Sequence, residues 1–207
     1  MPAHGFVRTR LWDLRSASPE ADGQVLLRLG LSDDASTRAL WDFAFDLELC
    51  VTVGPTLRLA LSTRNTGAAA FTITQALHSY LCVSDIEQTS VLGLDGCDYL
   101  DKVQNFAPAR QSGAVEFGGE TDRIYTGTRF DCLIEDRAGG RSIRVAKQGS
   151  TSTVVWNPWR EREQALTDMA AGEHRHMLCV ETCNAGPDQI TLAPGAAHTL
   201  VATMSVA

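Results

Sequence analysis

No apolar run in this 207-residue chain is long. Every uncharged stretch is short and broken by Thr, Ser or Gly, so no membrane-spanning helix is expected. The opening, Met1-Pro2-Ala3-His4-Gly5, has neither a cationic segment nor a greasy stretch behind it, and no signal peptide is expected. Positive charge is in the minority, with 18 Lys and Arg against 25 Asp and Glu. The resulting net charge of −7 denies the chain the basic footprint of a general nucleic-acid binder. It leaves room for an anionic small ligand, because a few local arginines can hold one phosphate. Heptads, internal repeats, low-complexity tracts and linkers are absent. So are G-x-S-x-G, a P-loop glycine run and a dinucleotide fingerprint.

What is there belongs to a globular protein. Hydrophobic residues make up 44% and charged residues 21%, enough apolar material for a core, and the length suits one domain covering residues 1–207. The six cysteines (Cys50, Cys82, Cys97, Cys132, Cys179 and Cys183) are expected to be free buried thiols in a reducing cytoplasm. His174-x-His176-x-x-Cys179-x-x-x-Cys183 offers four ligand types in ten residues. On a strand, however, the two histidines face away from the two cysteines, and the spacing fits no common zinc pattern. No metal is expected.

Period-2 patterning dominates the chain. Phe43, Phe45, Leu47, Leu49, Val51 and Val53 alternate with Asp42, Ala44, Asp46, Glu48, Cys50 and Thr52, as a half-buried antiparallel strand requires. Gly54-Pro55 breaks the run, and Leu57, Leu59 and Leu61 resume it in a hairpin partner. After the turn at Asn65-Thr66-Gly67 a strand is predicted over 71–83. Further strands are predicted over 123–126, 130–135, 141–147, 152–156, 177–182, 189–192 and 198–206. Only 160–170 has helical character, without a clean apolar stripe. Many short strands with Gly, Pro and Asn turns predict an all-β, antiparallel β-sandwich.

Two residues break these patterns. In the 71–83 strand Phe71, Ile73 and Leu77 share the apolar face, while His78 lies opposite with Thr72, Thr74, Ala76 and Tyr80. That face has the hydroxyls, the aromatic ring and the titratable imidazole a sugar would use. From this strand alone a surface or hydrogen-bonded histidine on a solvated face is the commoner reading. Glu181 sits in Met177-Leu178-Cys179-Val180-Glu181-Thr182-Cys183, apolar on both faces. A carboxylate there must be paired, hydrogen-bonded or held partly neutral. Desolvation would raise its pKa towards that of a general base. A structural ion pair with an arginine is the alternative.

Several segments together resemble the hexose-6-phosphate mutarotases, a branch of the aldose 1-epimerase superfamily. His4-Gly5-Phe6-Val7-Arg8 with Trp12 is similar to that branch's HGFAR…W segment, Val7 replacing Ala. Leu77-His78-Ser79-Tyr80 resembles its HTYF strand, with Ser79 for Thr and Leu81 for Phe. Asp98-Tyr99-Leu100-Asp101-Lys102 is similar to its YxDK element, and Thr121-Asp122-Arg123-Ile124-Tyr125 to TDRIY. Val154-Val155-Trp156-Asn157-Pro158-Trp159 matches VVWNPW and Cys179-Val180-Glu181 matches CVE. The motifs run in family order from residue 4 to about residue 195.

The resemblance implies a twisted β-supersandwich, no metal, no organic cofactor, and interconversion of the α and β anomers of an aldose, typically glucose 6-phosphate. It assigns His78 and Glu181 as the catalytic acid and base. His4 and Asp122 would bind sugar hydroxyls and Arg8 the 6-phosphate. Trp156 and Trp159 read as core. Family members carry several strands before the HGFAR-like segment, including an RGG[IV]P-like stretch whose arginine helps bind phosphate, and this sequence has no match to it. The expectations are an incomplete phosphate site and an exposed sheet edge open to self-association. Two other functions stay open: a noncatalytic carbohydrate-binding or regulatory protein of the same fold, and a glycoside hydrolase using Glu181 with Asp122.

Overall fold

The computed structural model describes residues 4–206; Met1, Pro2 and Ala3, part of the opening read above for a signal segment, lie outside the described residues. Strands dominate. In chain order, β1 (Asp13–Pro19), β2 (Val25–Ser32), β3 (Phe45–Val53) and β4 (Leu57–Asn65) form an antiparallel meander. Next come β5 (Phe71–Ile73), β6 (Gln75–Leu77), β7 (Tyr80–Cys82), β8 (Thr89–Leu92), β9 (Asp98–Asp101), β10 (Ala107–Arg110) and β11 (Val115–Glu116). The remainder are β12 (Thr121–Thr126), β13 (Cys132–Asp136), β14 (Arg141–Gln148), β15 (Ser152–Asn157), β16 (Met177–Asn184), β17 (Ile190–Leu192) and β18 (Ala197–Val206).

They build two large sheets. The nine-stranded sheet runs β1-β2-β3-β4-β18-β14-β13-β8-β11. The seven-stranded sheet runs β10-β9-β12-β15-β16-β6, with β7 also pairing β16. A small third sheet joins β17 to β5. The principal core lies between the large sheets, where Val91, Ile134, Val145 and Leu200 of one meet Leu77, Tyr125, Val155, Leu178 and Val180 of the other. The antiparallel sandwich anticipated from the alternation is the observed fold. No helix among the described residues is long and apolar enough to cross a membrane.

The hairpin of β3 and β4 follows from its side-chain alternation. Leu47 faces Thr63, Leu49 faces Leu61 and Val51 faces Leu59 across the ladder, so one face is apolar apart from Thr63. The predicted 71–83 strand is broken into β5, β6 and β7. Its first piece joins the small sheet, and between the other two the Ser79 amide bonds the Leu77 carbonyl, two residues back, at 3.0 Å. The 160–170 helix shrinks to α1 (Trp159–Glu163), which has too few turns to bury an apolar stripe. The cysteines are all free, but only Cys132, Cys179 and Cys183 are buried. Cys82 is exposed on β7, Cys50 is half-buried on β3, and Cys97 is half-buried in the turn before β9.

Local polar anchors hold the turns. Gly149 (φ +72) follows β14, and a Cβ there would lie 2.1 Å from the Thr199 carbonyl oxygen. At the start of the β13–β14 hairpin, buried Asp136 accepts from the Ser84 amide and hydroxyl, the Gly139 amide and Arg141 Nε. Burial pushes this carboxyl up, but the hydrogen bonds and Arg141 outweigh it and hold it below the usual carboxylate range. A pKa depressed on folding adds stability that is present above the unfolded value and is lost as pH falls through the folded one. Asp136→Asn is therefore expected to destabilise the fold by about 2–4 kcal/mol. Urea unfolding at neutral pH measures this, and the difference from wild type should narrow in acid.

Candidate functional site

The site starts from β16, which is buried along its whole length. Alternation sends Leu178, Val180 and Thr182 one way and Cys179, Glu181 and Cys183 the other, with Leu178 and Val180 in the inter-sheet core. β6 sets Leu77 against Thr182, and β7 sets Tyr80 against Cys179. The same register continued across the break places His78 opposite Glu181. On the other flank of β16, Val154 faces Glu181 and Trp156 faces Cys179; one strand further out, Asp122 faces Trp156. Two parallel rows therefore cross the outer face of the seven-stranded sheet. One carries His78, Glu181 and Val154, the other Tyr80, Cys179, Trp156 and Asp122.

His78 Nε2 lies 3.3 Å from Glu181 Oε1, and His78 Nδ1 lies 3.7 Å from Cys179 Sγ in hydrogen-bonding geometry. The imidazole stacks on Tyr80 at 4.8 Å and meets the edge of Trp156 at 5.7 Å and of His4 at 6.0 Å. Tyr80 is 59% exposed, so an aromatic surface lies open beside the pair. Glu181 is 5% exposed and receives no hydrogen bond from the backbone or from an arginine among the described residues. Burial, helped by the negative charge of Asp122 and opposed by Lys102, pushes its pKa up to about 8. His78 is moved the other way, down from its ordinary value, by burial first and then by His4, Arg8 and Lys102. These opposite shifts favour a proton on the carboxyl and a neutral ring.

Asp122 is held by one oxygen. Its Oδ2 is 2.6 Å from Lys102 Nζ, while Oδ1 is buried and has no hydrogen-bond partner among the described residues. A buried acceptor without a donor is costly, and a hydroxyl brought in from solution would satisfy it. Arg8 is exposed, in the short 3-10 turn Val7–Thr9, and forms no ion pair or side-chain hydrogen bond among the described residues. Its charge nevertheless reaches His4 and His78. His4 is lowered by burial first, then by Arg8 and Lys102, against a raising contribution from Asp122.

The five residues singled out from the sequence thus form one connected set: His78 contacts Glu181, Arg8 and His4 act on His78, and Asp122 acts on His4 and Glu181. Lys102, one of only two lysines in the chain, was part of a recognised motif but had no assigned role. Trp156 requires a correction. It is half-buried on the site face, against Ile124, Val154 and Cys183, and not in the main core; Trp159 does pack on that core. Val154 and Val155 are both apolar, so sequence alternation could not tell which face Trp156 takes.

His78, Cys179 and Glu181 bring three potential metal donors within 4.8 Å of one another. The imidazole turns Nδ1 to the sulfur and Nε2 to the carboxyl, so neither ring lone pair faces both partners, and the arrangement reads as a hydrogen-bonded row. The histidines of the 174–183 run are engaged elsewhere, His174 with Glu163 and His176 with the Ser84 carbonyl.

The aldose 1-epimerase family model matches residues 1–205. The chain belongs to the aldose 1-epimerase family. Among its relatives is a protein of Cenchrus ciliaris named "Putative glucose-6-phosphate 1-epimerase", 33% identical over 93% of this chain and 61% of its own length. A protein of Escherichia coli K12 with the same name is 34% identical over 96% of this chain and 66% of its own. The chain thus spans less than two thirds of the length of either relative. A crystal structure of a "putative mutarotase" from Salmonella typhimurium superposes with a TM-score of 0.92 at 30% identity, covering 100% of this chain and 68% of that one.

Removing the Asp122 charge is expected to lower two pKa values together, that of Glu181 from about 8 and that of His4, because the carboxylate raises both. Titration of Asp122→Asn by carbon and proton NMR of the Glu and His side chains reads both shifts. Unchanged values would dissociate Asp122 from the pair.

Proposed function

We propose that this chain, as a single domain, is a mutarotase that interconverts the α and β anomers of an aldose, with a hexose 6-phosphate as substrate. The observation that carries the reading is the 3.3 Å contact of His78 and Glu181 on an open, aromatic-lined face. Mutarotation needs a proton taken from one oxygen and given to another on the same carbon, so its acid and base must be close neighbours. Glu181 takes the C1 hydroxyl proton while His78 Nε2 protonates the ring oxygen. The C1–O5 bond breaks and an open-chain aldehyde results. Rotation about C1–C2 and reclosure, with Glu181 now the acid and His78 the base, yields the other anomer.

The resting state, carboxyl protonated and imidazole neutral, equals the protonation state that accompanies the open chain. Ring opening starts from its tautomer, reached by one proton transfer across the 3.3 Å gap. Tyr80 and Trp156 supply flat apolar surface for a pyranose. Asp122 Oδ1 and His4 take sugar hydroxyls, and Arg8 takes the 6-phosphate as a charge-assisted pair.

The test dissolves crystalline α-glucose 6-phosphate cold and follows its anomers by NMR with and without protein. Wild type should accelerate exchange; His78→Ala and Glu181→Gln should return it to the spontaneous rate, a loss of at least about 100-fold. The pH profile of kcat/KM should be a bell. Below its acid limb, under the ordinary histidine value because His78 is lowered, both groups hold protons and no base remains. Above its alkaline limb, near 8, neither does and no acid remains. No acceleration by folded wild-type protein would sink the reading.

Arg8→Ala should raise KM for glucose 6-phosphate by about 10- to 100-fold, as loss of a charge-assisted contact would. It should leave the KM for unphosphorylated glucose nearly unchanged, while the loss of its charge beside His78 moves the acid limb of the pH profile for both sugars upward. Parallel saturation curves for the two sugars measure the difference, and equal effects on both would remove Arg8 from the phosphate site.

A further inference from the structure

The Glu181–His78 contact occupies one ring nitrogen and leaves the other to be explained. His78 Nδ1 points inward, away from the carboxyl, at the Sγ of a residue that is 0% exposed, Cys179. Cys179 precedes Glu181 by two residues on β16, so both side chains leave the same face of one strand. Cys179 pairs across the ladder with Tyr80, whose ring stacks on His78, and with Trp156, whose edge abuts it. The thiol thus lies at the floor of the box that holds the imidazole.

The proposed chemistry makes a demand on that inner nitrogen. Nε2 must be bare when it accepts a proton and must carry one when it donates. Nδ1 must therefore keep its hydrogen through the cycle, and an N–H turned towards the protein needs an acceptor. Sulfur is a weak and neutral acceptor. A carboxylate there would hold the same tautomer but would stabilise the imidazolium and make the ring more basic. The surroundings of His78 run the opposite way. The titratable and charged groups around it are His4 and Arg8 on the N-terminal segment, Tyr80 on β7, Lys102 after β9, Asp122 on β12, and Cys179 and Glu181 on β16. Burial and the Glu181 and Asp122 charges push the Cys179 thiol upward, so it stays protonated and uncharged.

We propose that Cys179 is a positioning residue whose sulfur accepts the Nδ1 hydrogen of His78, fixing the tautomer and ring orientation that present a bare Nε2 to Glu181 and to the substrate oxygen. The sulfur achieves this without adding charge. The role rests on the mutarotase reading for its kinetic consequence, whereas the tautomer itself is a property of the protein alone.

The experiment measures both. Nitrogen NMR of His78 at neutral pH reports which ring nitrogen carries hydrogen in wild type, Cys179→Ala and Cys179→Ser, with thermal unfolding to establish that each variant is folded. Wild type should hold the hydrogen on Nδ1. The Ala variant should show a mixture or the Nε2–H form, and the Ser variant, whose oxygen also accepts, should return to Nδ1. In anomer exchange, Cys179→Ala should lose about 10- to 100-fold in kcat with KM changed little, the size of effect seen when a supporting hydrogen bond to a functional histidine is removed. Cys179→Ser should recover most of it. An Nε2–H tautomer in wild type, or an Ala variant with the wild-type tautomer, overturns the proposal. If wild type fails to speed anomer exchange while the tautomer switches as described, the positioning role stands and the mutarotase reading falls.

Discussion

Everything at the site depends on one register. β16 is buried end to end, and the ladder that pairs it with β6 and β7 is interrupted only where His78 and Ser79 face Glu181 and Val180. A slip of one residue would flip the whole strand, turning Leu178 and Val180 out of the inter-sheet core and Glu181 into it, where an unpaired carboxyl costs several kcal/mol (on the order of the desolvation penalty of a buried ion). The flanking pairs forbid the slip, since Leu77 and Val180 already fill that core. The same packing that gives the sandwich its stability therefore delivers the imidazole to the carboxyl, and it does so from strand geometry without a specialised loop.

The electrostatics of the face are local. The chain as a whole carries −7, yet His4, Arg8 and Lys102 gather around His78 with Asp122 as their nearby counter-charge. Arg8 is the cation of this group that no carboxylate claims among the described residues, while Lys102 is spent on Asp122. A positive rim on an acidic protein concentrates anions at that one place. The proposed phosphate ester has the matching charge, and the aromatic faces of Tyr80 and Trp156 have the matching flatness for its sugar ring.

How legible this was depended on which physical signal each element carries. The β3–β4 hairpin was fully readable, because Phe45 to Val53 alternate strictly and Gly54-Pro55 marks the turn. β1 and β2 escaped the pattern, because Leu26, Leu27, Leu29 and Leu31 place apolar residues on both parities. The continuous 71–83 strand was an overreading, since alternation survives a break that only the Ser79–Leu77 hydrogen bond reveals. His78 and Glu181 stood out as polar residues in apolar contexts, whereas their contact depends on register, which one strand's sequence does not contain. Lys102 and Cys179 were invisible as partners for the same reason: each acts through a residue far away in the chain.

Three buried carboxyls in this fold show what separates a structural acid from a reactive one. Glu163 accepts from the amides of Gly172 and His174 and lies 3.1 Å from the His174 ring. Asp136 accepts from the amides of Ser84 and Gly139 and from Arg141. In both, burial alone would raise the pKa, and the backbone donors reverse it, leaving a carboxylate that stays ionised at neutral pH. Glu181 is equally buried but sits in mid-strand, where the neighbouring amides are committed to the ladder with β15. Nothing reverses the burial, and its pKa rises to about 8. Backbone amides are spare at turns and helix ends and unavailable inside a central strand. A carboxyl placed on such a strand therefore keeps a proton it can exchange near neutrality, provided that a neutral base stands opposite to receive it. His78, its own pKa lowered and its inner nitrogen turned to sulfur, meets that condition.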